Sequence, residues 1–151
     1  MMKKLFHNHY PGAFVFLAFV LLACQPLADR QGDGASGYPA ELLGTWRLLT
    51  IGDEAVLESS AARMQFSAEG EVTGNASCNR FFGKYRVEQG RLTIGPLGST
   101  RMMCLPALMA QEDKLLELLP EVSRYSREAD SLKLYDAAGV ELFSTQAEPE
   151  D

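Results

Sequence analysis

Cysteine thiols are the side chains of this sequence best suited to covalent chemistry, and the first of them, Cys24, follows a secretory pattern. Two lysines precede an uninterrupted apolar run, 13–23, that ends in the small residue Ala23. A positive region, an apolar region and a small residue in this order are typical of a signal peptide. A helix of that length rises only about 16 Å, so the run is too short to span a bilayer. We therefore interpret residues 1–23 as a cleaved signal peptide.

The residues around the cleavage point resemble the lipobox of bacterial lipoproteins. They read Leu21-Leu22-Ala23-Cys24, and in those proteins the cysteine thiol receives a diacylglycerol and the freed amine is then acylated. The resemblance implies a lipid anchor on Cys24, and several acyl chains hold a protein at a membrane far more firmly than one. Gln25 follows, where an aspartate would favour retention in the inner membrane, so the resemblance implies an outer-membrane location facing the periplasm. The alternative is an ordinary signal peptide with an unrelated cysteine after it.

Cleavage would change the chemistry available to the rest of the chain. Both histidines, His7 and His9, lie within the signal peptide, so the mature chain would lack Ser-His-Asp catalysis, Cys-His catalysis and imidazole metal ligands. The net charge would move from −6 to −8, because the lost segment contains two lysines and no acidic residue. An acidic domain repels phosphate backbones. We therefore expect no catalytic residues, no metal, no cofactor and no nucleic-acid partner.

The remaining cysteines, Cys78 and Cys104, are an even pair in a compartment that oxidises thiols. We predict a disulfide between them, which would contribute about 3 kcal/mol in the chain-entropy description. The alternative is two separately buried free thiols. A metal site is disfavoured, because two thiolates without histidines make an incomplete ligand set.

One domain accounts for most of the mature chain. Residues 24–40 are rich in glycine, proline and polar residues, which predicts a lipidated N-terminus followed by a flexible tether. Residues 41–146 contain short alternating runs separated by turn residues, which predicts an antiparallel β barrel or roll. Residues 147–151 are acidic and are predicted to be a frayed tail. The predicted strands are 45–51, 63–67, 71–76, 82–88, 91–95, 121–126, 131–135 and 140–144. Their expected inward-facing residues are Trp46, Leu48, Met64, Phe66, Tyr85, Leu92, Leu132 and Leu134.

One helix is predicted within this β pattern. Residues 105–119 place six apolar side chains within about 120° of a helical wheel. These residues are Leu105, Leu108, Met109, Leu115, Leu116 and Leu119. Glu112 lies in the middle of that apolar stripe, where a carboxylate is costly unless it has a partner. We expect a buried ion pair with Arg101 or Arg80; the alternative is a carboxylate at a shallow edge of the stripe that reaches water.

A longer pattern resembles a known protein family. It runs Gly74-Asn75-Ala76-Ser77-Cys78-Asn79-Arg80-Phe81-Phe82-Gly83-Lys84-Tyr85, then Leu92-Thr93-Ile94, then Thr100-Arg101-Met102-Met103-Cys104, then Met109 and Glu112. In order, spacing and residue type it is similar to the META domain of the HslJ-like lipoproteins, across about residues 43–143. Ser77 stands where that family usually has glycine, and Met103 where it usually has alanine. The resemblance implies a mainly β fold with one helix: a small antiparallel β barrel or roll of about eight strands, lipocalin-like in topology, with one α-helix packed against it.

The resemblance also implies a link with envelope stress, heat shock and antibiotic tolerance, without an enzyme activity. Asn79, Phe81 and Phe82 are a candidate contact surface, although a turn-capping asparagine is the simpler interpretation of Asn79. Adjacent phenylalanines cannot both face inward on a regular strand. Either one of them is exposed, or the strand has a bulge there. The methionines at 64, 102, 103 and 109 are interpreted as core residues.

Three functions are compatible with these residues. The one that we favour is a non-catalytic envelope lipoprotein that acts through contacts with another envelope protein, as a stress-related accessory or an assembly factor. The second is a lipocalin-like carrier of a small apolar ligand, which would need an interior cavity on the order of several hundred Å³. The third is an enzyme whose catalytic groups are carboxylates, lysines and arginines alone.

Overall fold

A computed structural model describes residues 38–149 of this chain. The predicted signal peptide, Cys24 and most of the predicted tether lie outside the described residues, as do the last two residues of the predicted tail. Within residues 38–149, no helix has both the length and the hydropathy that crossing a membrane requires.

Antiparallel strands and a single α-helix make up the described part of the chain. The strands are β1 (Gly44–Ile51), β2 (Glu54–Ala55), β3 (Arg63–Phe66), β4 (Glu71–Asn75), β5 (Arg80–Glu88), β6 (Arg91–Ser99), β7 (Arg124–Glu128), β8 (Ser131–Tyr135) and β9 (Glu141–Ala147). The helix α1 (Pro106–Leu118) lies between β6 and β7 in the chain and continues into a short 3-10 turn, Leu119–Glu121. The predicted mainly β class with one helix is confirmed.

All the strands belong to one sheet. Its order is β6-β5-β4-β3-β1-β9-β8-β7, every pair is antiparallel, and the two-residue β2 pairs with β1. The sheet curls into a half-barrel. A hydrogen bond connects the two ends of the sheet. The Leu92 amide of the edge strand β6 donates it, at 3.0 Å, to the carbonyl of Ser123, which directly precedes the other edge strand, β7.

The core lies inside the curl of the sheet. All eight residues predicted to face inward are buried, with Phe81, Phe143, Leu115 and Leu119 beside them. Complete burial of side chains of this size contributes about 1.5–3 kcal/mol each. The Tyr85 hydroxyl keeps a partner in this core, donating a hydrogen bond to the Ser67 carbonyl at 2.7 Å. Burial raises the pKa of Tyr85 to about 12, because the interior disfavours its charged form.

The ordered domain extends past both of its predicted limits. Tyr38 lies within the predicted tether, yet its ring packs against Tyr85 with centroids 4.9 Å apart. At the other end, β9 continues to Ala147, and the Glu148 amide donates a hydrogen bond to the Thr45 carbonyl at 2.8 Å. Ala147 and Glu148, which their acidic surroundings predicted to be part of a frayed tail, are therefore bonded to β1.

Apolar packing of the helix against the core is confined to its C-terminal half. Leu115 is buried in α1, and Leu119 is buried in the 3-10 turn, whereas Leu105 is 69% exposed and Met109 is 38% exposed. The predicted apolar stripe is therefore wrong over its first turns. Of the four methionines interpreted as core residues, only Met64 is buried. Wheel periodicity does not show how much of a helix is covered by the rest of the fold, and here Leu105 and Met109 stay exposed.

Candidate contact site held by Asn79 and Glu112

The turn between β4 and β5 has an unusual backbone. Ser77 has φ of 108°, a region that side chains with a Cβ rarely adopt, and the sequence resemblance puts glycine at this position. The Asn75 side chain accepts a hydrogen bond from the Ser77 amide at 2.8 Å. The Ser77 hydroxyl accepts hydrogen bonds from Ser60, at 3.0 Å, and from Gln111 of α1. Serine therefore costs backbone strain here, but its hydroxyl joins the turn to a loop and to the helix.

A disulfide connects the same turn to the segment before the helix. Cys78 and Cys104 are bonded, as the sequence analysis predicted, with Cα atoms 5.9 Å apart. That separation lies within the usual range for disulfides. The disulfide fixes the chain at Cys104, two residues before the first residue of α1, Pro106.

Asn79 lies at the centre of a buried polar network. It is only 3% exposed. Its backbone N–H and its side-chain amide donate hydrogen bonds to the two carboxylate oxygens of Glu112, at 2.6 and 3.0 Å. Its side-chain oxygen accepts hydrogen bonds from the Thr100 hydroxyl, at 3.0 Å, and from the Met102 amide, at 2.6 Å. One side chain thus joins the turn, the helix and the segment between β6 and α1.

The predicted ion pair of Glu112 with Arg101 or Arg80 is not formed. Glu112 is buried, at 8% exposed, but Asn79 occupies both of its carboxylate oxygens. Arg80 is exposed and precedes the inward-facing Phe81 on β5, so strand alternation directs its side chain to the opposite face. Arg101 is exposed as well. The expectation that the carboxylate needs a partner was sound, but that partner is a neutral amide and a backbone N–H.

The predicted contact surface is also only partly exposed. Asn79 and Phe81 are buried, whereas Phe82 is 57% exposed. The strand alternates regularly here, so Phe81 faces inward and Phe82 faces outward, and no bulge is needed between them. The Phe82 ring lies over Gly98 of β6, where an added Cβ would come within 2.7 Å of ring atoms. Of the three predicted contact residues, only Phe82 has an accessible side chain.

Comparison with known sequences shows which protein family this chain belongs to. The model of the META domain matches residues 40–149. This chain belongs to the META domain family. Over 128 residues it is 30% identical to the heat shock protein HslJ of Escherichia coli strain K12, which covers 83% of this chain and 87% of that protein.

The META domain fold also occurs among solved structures. One is the NMR structure of a protein from Burkholderia xenovorans, with a TM-score of 0.60 and 22% identity over 72% of this chain and 85% of that one. Another is the crystal structure of a DUF4847 family protein from Bacteroides vulgatus, with a TM-score of 0.54 and 12% identity over 74% of this chain and 97% of that one. At these identities the likeness concerns the fold alone.

The two most exposed large apolar residues of the described part, Met103 and Leu105, lie in the segment that Asn79 holds. We call residues 101–105 the apolar loop; in it Met102 is 59% exposed, Met103 is 92% exposed and Leu105 is 69% exposed. Sequence reasoning missed this surface because methionine and leucine are commonest in cores. One signal was present. The residue before a proline avoids helical backbone angles, and Leu105, just before Pro106, has ψ of 141° and so cannot continue the helical stripe.

The apolar loop combines exposure with a fixed backbone. At one end it is bonded through Cys104, and in its middle the Met102 amide and carbonyl both bond to the Asn79 side chain, at 2.6 and 3.2 Å. Large apolar side chains that are left in water on a fixed backbone are typical of a surface that binds another protein. The geometry of this site therefore suits docking.

Proposed function

We propose that this chain is a lipid-anchored protein of the bacterial cell envelope whose META domain acts through contacts with another envelope protein. The observation that carries the proposal is the apolar loop. Its three large side chains are exposed, while the backbone beneath them is fixed by the disulfide and by Asn79. A preorganised surface loses little conformational entropy on binding, so more of its contact energy remains available as affinity.

The anchor belongs to the same proposal. Cys24 carries the lipid, and the cysteine follows an apolar run in a pattern that resembles a lipobox. The name of the related Escherichia coli protein, heat shock protein HslJ, supports a role in the response to heat. The likeness of Gln25 to sorting signals supports the outer membrane, facing the periplasm. Within the proposal the protein is non-catalytic, and Glu112 has a structural role because both of its oxygens accept bonds from Asn79.

A carrier role for an apolar ligand receives less support. The inward-facing side chains of the half-barrel pack against one another, and the large rings of Trp46, Phe66 and Tyr85 are each only 1% exposed. Two open depressions exist: one of about 590 Å³, lined mostly by polar residues that include Arg63 and Arg80, and one of about 450 Å³, lined by Arg47, Arg63 and apolar residues such as Leu49, Val56 and Leu57. Among the core residues of the described part, this packing leaves little room for an apolar ligand.

Photo-crosslinking in intact cells tests the contact. Benzoylphenylalanine is placed at position 103 in the apolar loop, or at position 140 as the control, where Val140 is equally apolar and 59% exposed. We expect one defined envelope protein to be captured from position 103 at normal and raised temperature, and not from position 140. The adduct should disappear when Met102 and Leu105 are both replaced by serine. Capture of the same proteins from both positions would refute a specific docking surface.

Labelling tests the anchor separately. Cells are grown with radiolabelled palmitate, and the wild-type chain is compared with the variant Cys24→Ser. We expect label on the wild type only, together with a mature N-terminus at Cys24. An unlabelled wild-type chain, or one that still begins at Met1, would contradict the envelope assignment.

A further inference from the structure

The outer face of the sheet carries a row of arginines. Arg47 of β1 pairs directly with Arg63 of β3, Arg63 pairs with Asn75 of β4, and Asn75 pairs with Arg80 of β5. All three arginines are exposed. Neighbouring strands lie about 4.8 Å apart, so the row places three guanidinium groups across about 15 Å of one face.

The arginines of this row lack acidic partners among the described residues. The lysines of residues 38–149 each form a salt bridge: Lys84 with Glu71, Lys114 with Asp53 and Glu54, and Lys133 with Glu141. No carboxylate of that part of the chain lies within 4 Å of a guanidinium nitrogen of the three arginines, although the chain is acidic overall. Like charges that face each other directly across two strands destabilise a sheet. The Arg47–Arg63 pair is therefore unfavourable unless an anion lies beside it.

A polar groove lies along the same row. Its volume is about 590 Å³, and Arg63 and Arg80 both line it. Thr45, Gln65, Thr73 and Asn75 supply further hydrogen-bonding side chains, and Glu148 and Pro149 also line it. The Arg63 and Arg80 backbones are two strand spacings apart, about 10 Å, which lets both side chains reach one group bound between them.

We propose that this groove binds a small anionic ligand through a phosphate or carboxylate group held by Arg63 and Arg80 together. Guanidinium groups bind both oxyanions through paired N–H donors. Arg47 adds positive charge next to Arg63, and Gln65 and Thr73 are placed to bond hydroxyl groups on the rest of the ligand. Glu148 disfavours anions at the end of the groove that it lines and favours a ligand with hydroxyl groups there. This site is separate from the apolar loop and does not depend on the proposed protein contact.

Calorimetric titration of the full chain in a neutral detergent tests the site. The probes are inorganic pyrophosphate, citrate and phosphatidylglycerol in mixed micelles of the same detergent, at low ionic strength so that screening stays weak. The variants are Arg63→Gln and Arg80→Gln. The matched control is Arg86→Gln, because Arg86 is also exposed on β5 but lies six residues from Arg80, about 20 Å along the strand. Urea unfolding of each variant checks that the fold is kept.

The proposal expects saturable binding of pyrophosphate or citrate by the wild type. Each groove variant should bind about tenfold more weakly or worse, a factor that corresponds to 1.4 kcal/mol, while the control variant binds as the wild type does. Pyrophosphate binding alone would assign a phosphate ligand, and citrate binding alone a carboxylate ligand. Three results would overturn the proposal: no binding of either soluble probe, equal losses in the control variant, or binding to the phosphatidylglycerol micelles only.

Discussion

Replacing Glu112 with glutamine should destabilise the META domain by about 2 kcal/mol. In the wild type, each carboxylate oxygen accepts one hydrogen bond from Asn79, at 2.6 Å from its backbone N–H and at 3.0 Å from its amide. Glutamine has a single acceptor oxygen, so one of these donors loses its partner and faces an NH₂ group instead. Hydrogen bonds to charged groups contribute about 1.5–3 kcal/mol, and at 8% exposure water does not readily replace the lost partner.

Urea unfolding measures this cost. Trp46 is the only tryptophan of the sequence and is buried in the core, so its fluorescence reports on unfolding of the domain. The control is Glu117→Gln, which removes the same charge from an exposed position of the same helix. It should change the free energy of unfolding by less than about 0.5 kcal/mol. Equal effects of the two substitutions would refute the buried network.

A double-mutant cycle separates the pair from general damage to the helix. Asn79→Ala removes the amide that bonds to Glu112 and to the apolar loop. Because the two residues are in direct contact, the combined variant should lose less than the sum of the single variants, with a coupling energy above about 0.5 kcal/mol. Additive effects would mean that the two side chains act independently.

Three further predictions concern the rest of the fold. Replacing both Cys78 and Cys104 with alanine should lower the free energy of unfolding by about 3 kcal/mol, because the closed loop spans 26 residues; urea unfolding without a loss would argue against a stabilising disulfide. The pKa of Tyr85 rises from 10.0 to about 12 on folding. The stability that the buried neutral hydroxyl contributes is therefore complete below pH 10 and is lost between pH 10 and 12, where the unfolded chain ionises first. Over that pH range the free energy of unfolding of the wild type should fall on the order of 2 kcal/mol more than that of Tyr85→Phe. Parallel plots of the free energy of unfolding against pH would disprove this coupling. Gly74→Ala should destabilise by about 1–3 kcal/mol, because its Cβ would lie 2.1 Å from the Arg63 carbonyl oxygen and 2.5 Å from the Phe81 ring; an unchanged melting temperature would contradict this close packing.

The strands could be predicted from the sequence because their alternation is local. Predicted and observed limits of β8 are identical, and β1 differs by one residue. The predicted strand limits are wrong where apolar and polar residues do not alternate simply. The predicted strand 121–126 corresponds to β7, but Leu119–Glu121 form a 3-10 turn and β7 begins at Arg124. The strand β2 has two residues, too few to produce a periodic signal.

The site was predicted less well because its contacts join distant residues. Glu112 lies 33 residues from Asn79 along the chain. Its position within an apolar stripe indicated that it needed a partner, but charge alone pointed to an arginine. Neither alternation nor composition distinguishes an amide that bonds to a carboxylate from one that caps a turn. The disulfide was easier to predict, because Cys78 and Cys104 were the two cysteines left after Cys24.

Exposure of the apolar loop had the weakest signal in the sequence. Hydrophobicity favours burial for Met102 and Met103, and the disulfide next to them suggests a packed region. The loop backbone is held at the surface by Asn79, which is buried and bonds to both the amide and the carbonyl of Met102.

In the proposed function, the buried Asn79–Glu112 pair fixes the apolar loop so that it can contact a partner. The most direct measurement is the crosslinking yield from position 103 in intact cells, compared between the wild type and Glu112→Gln at equal protein level and equal lipid labelling. We expect the adduct to fall several-fold in the variant while Glu117→Gln leaves it unchanged. An undiminished adduct in Glu112→Gln would contradict the claim, because contact would then not depend on the geometry that the pair imposes.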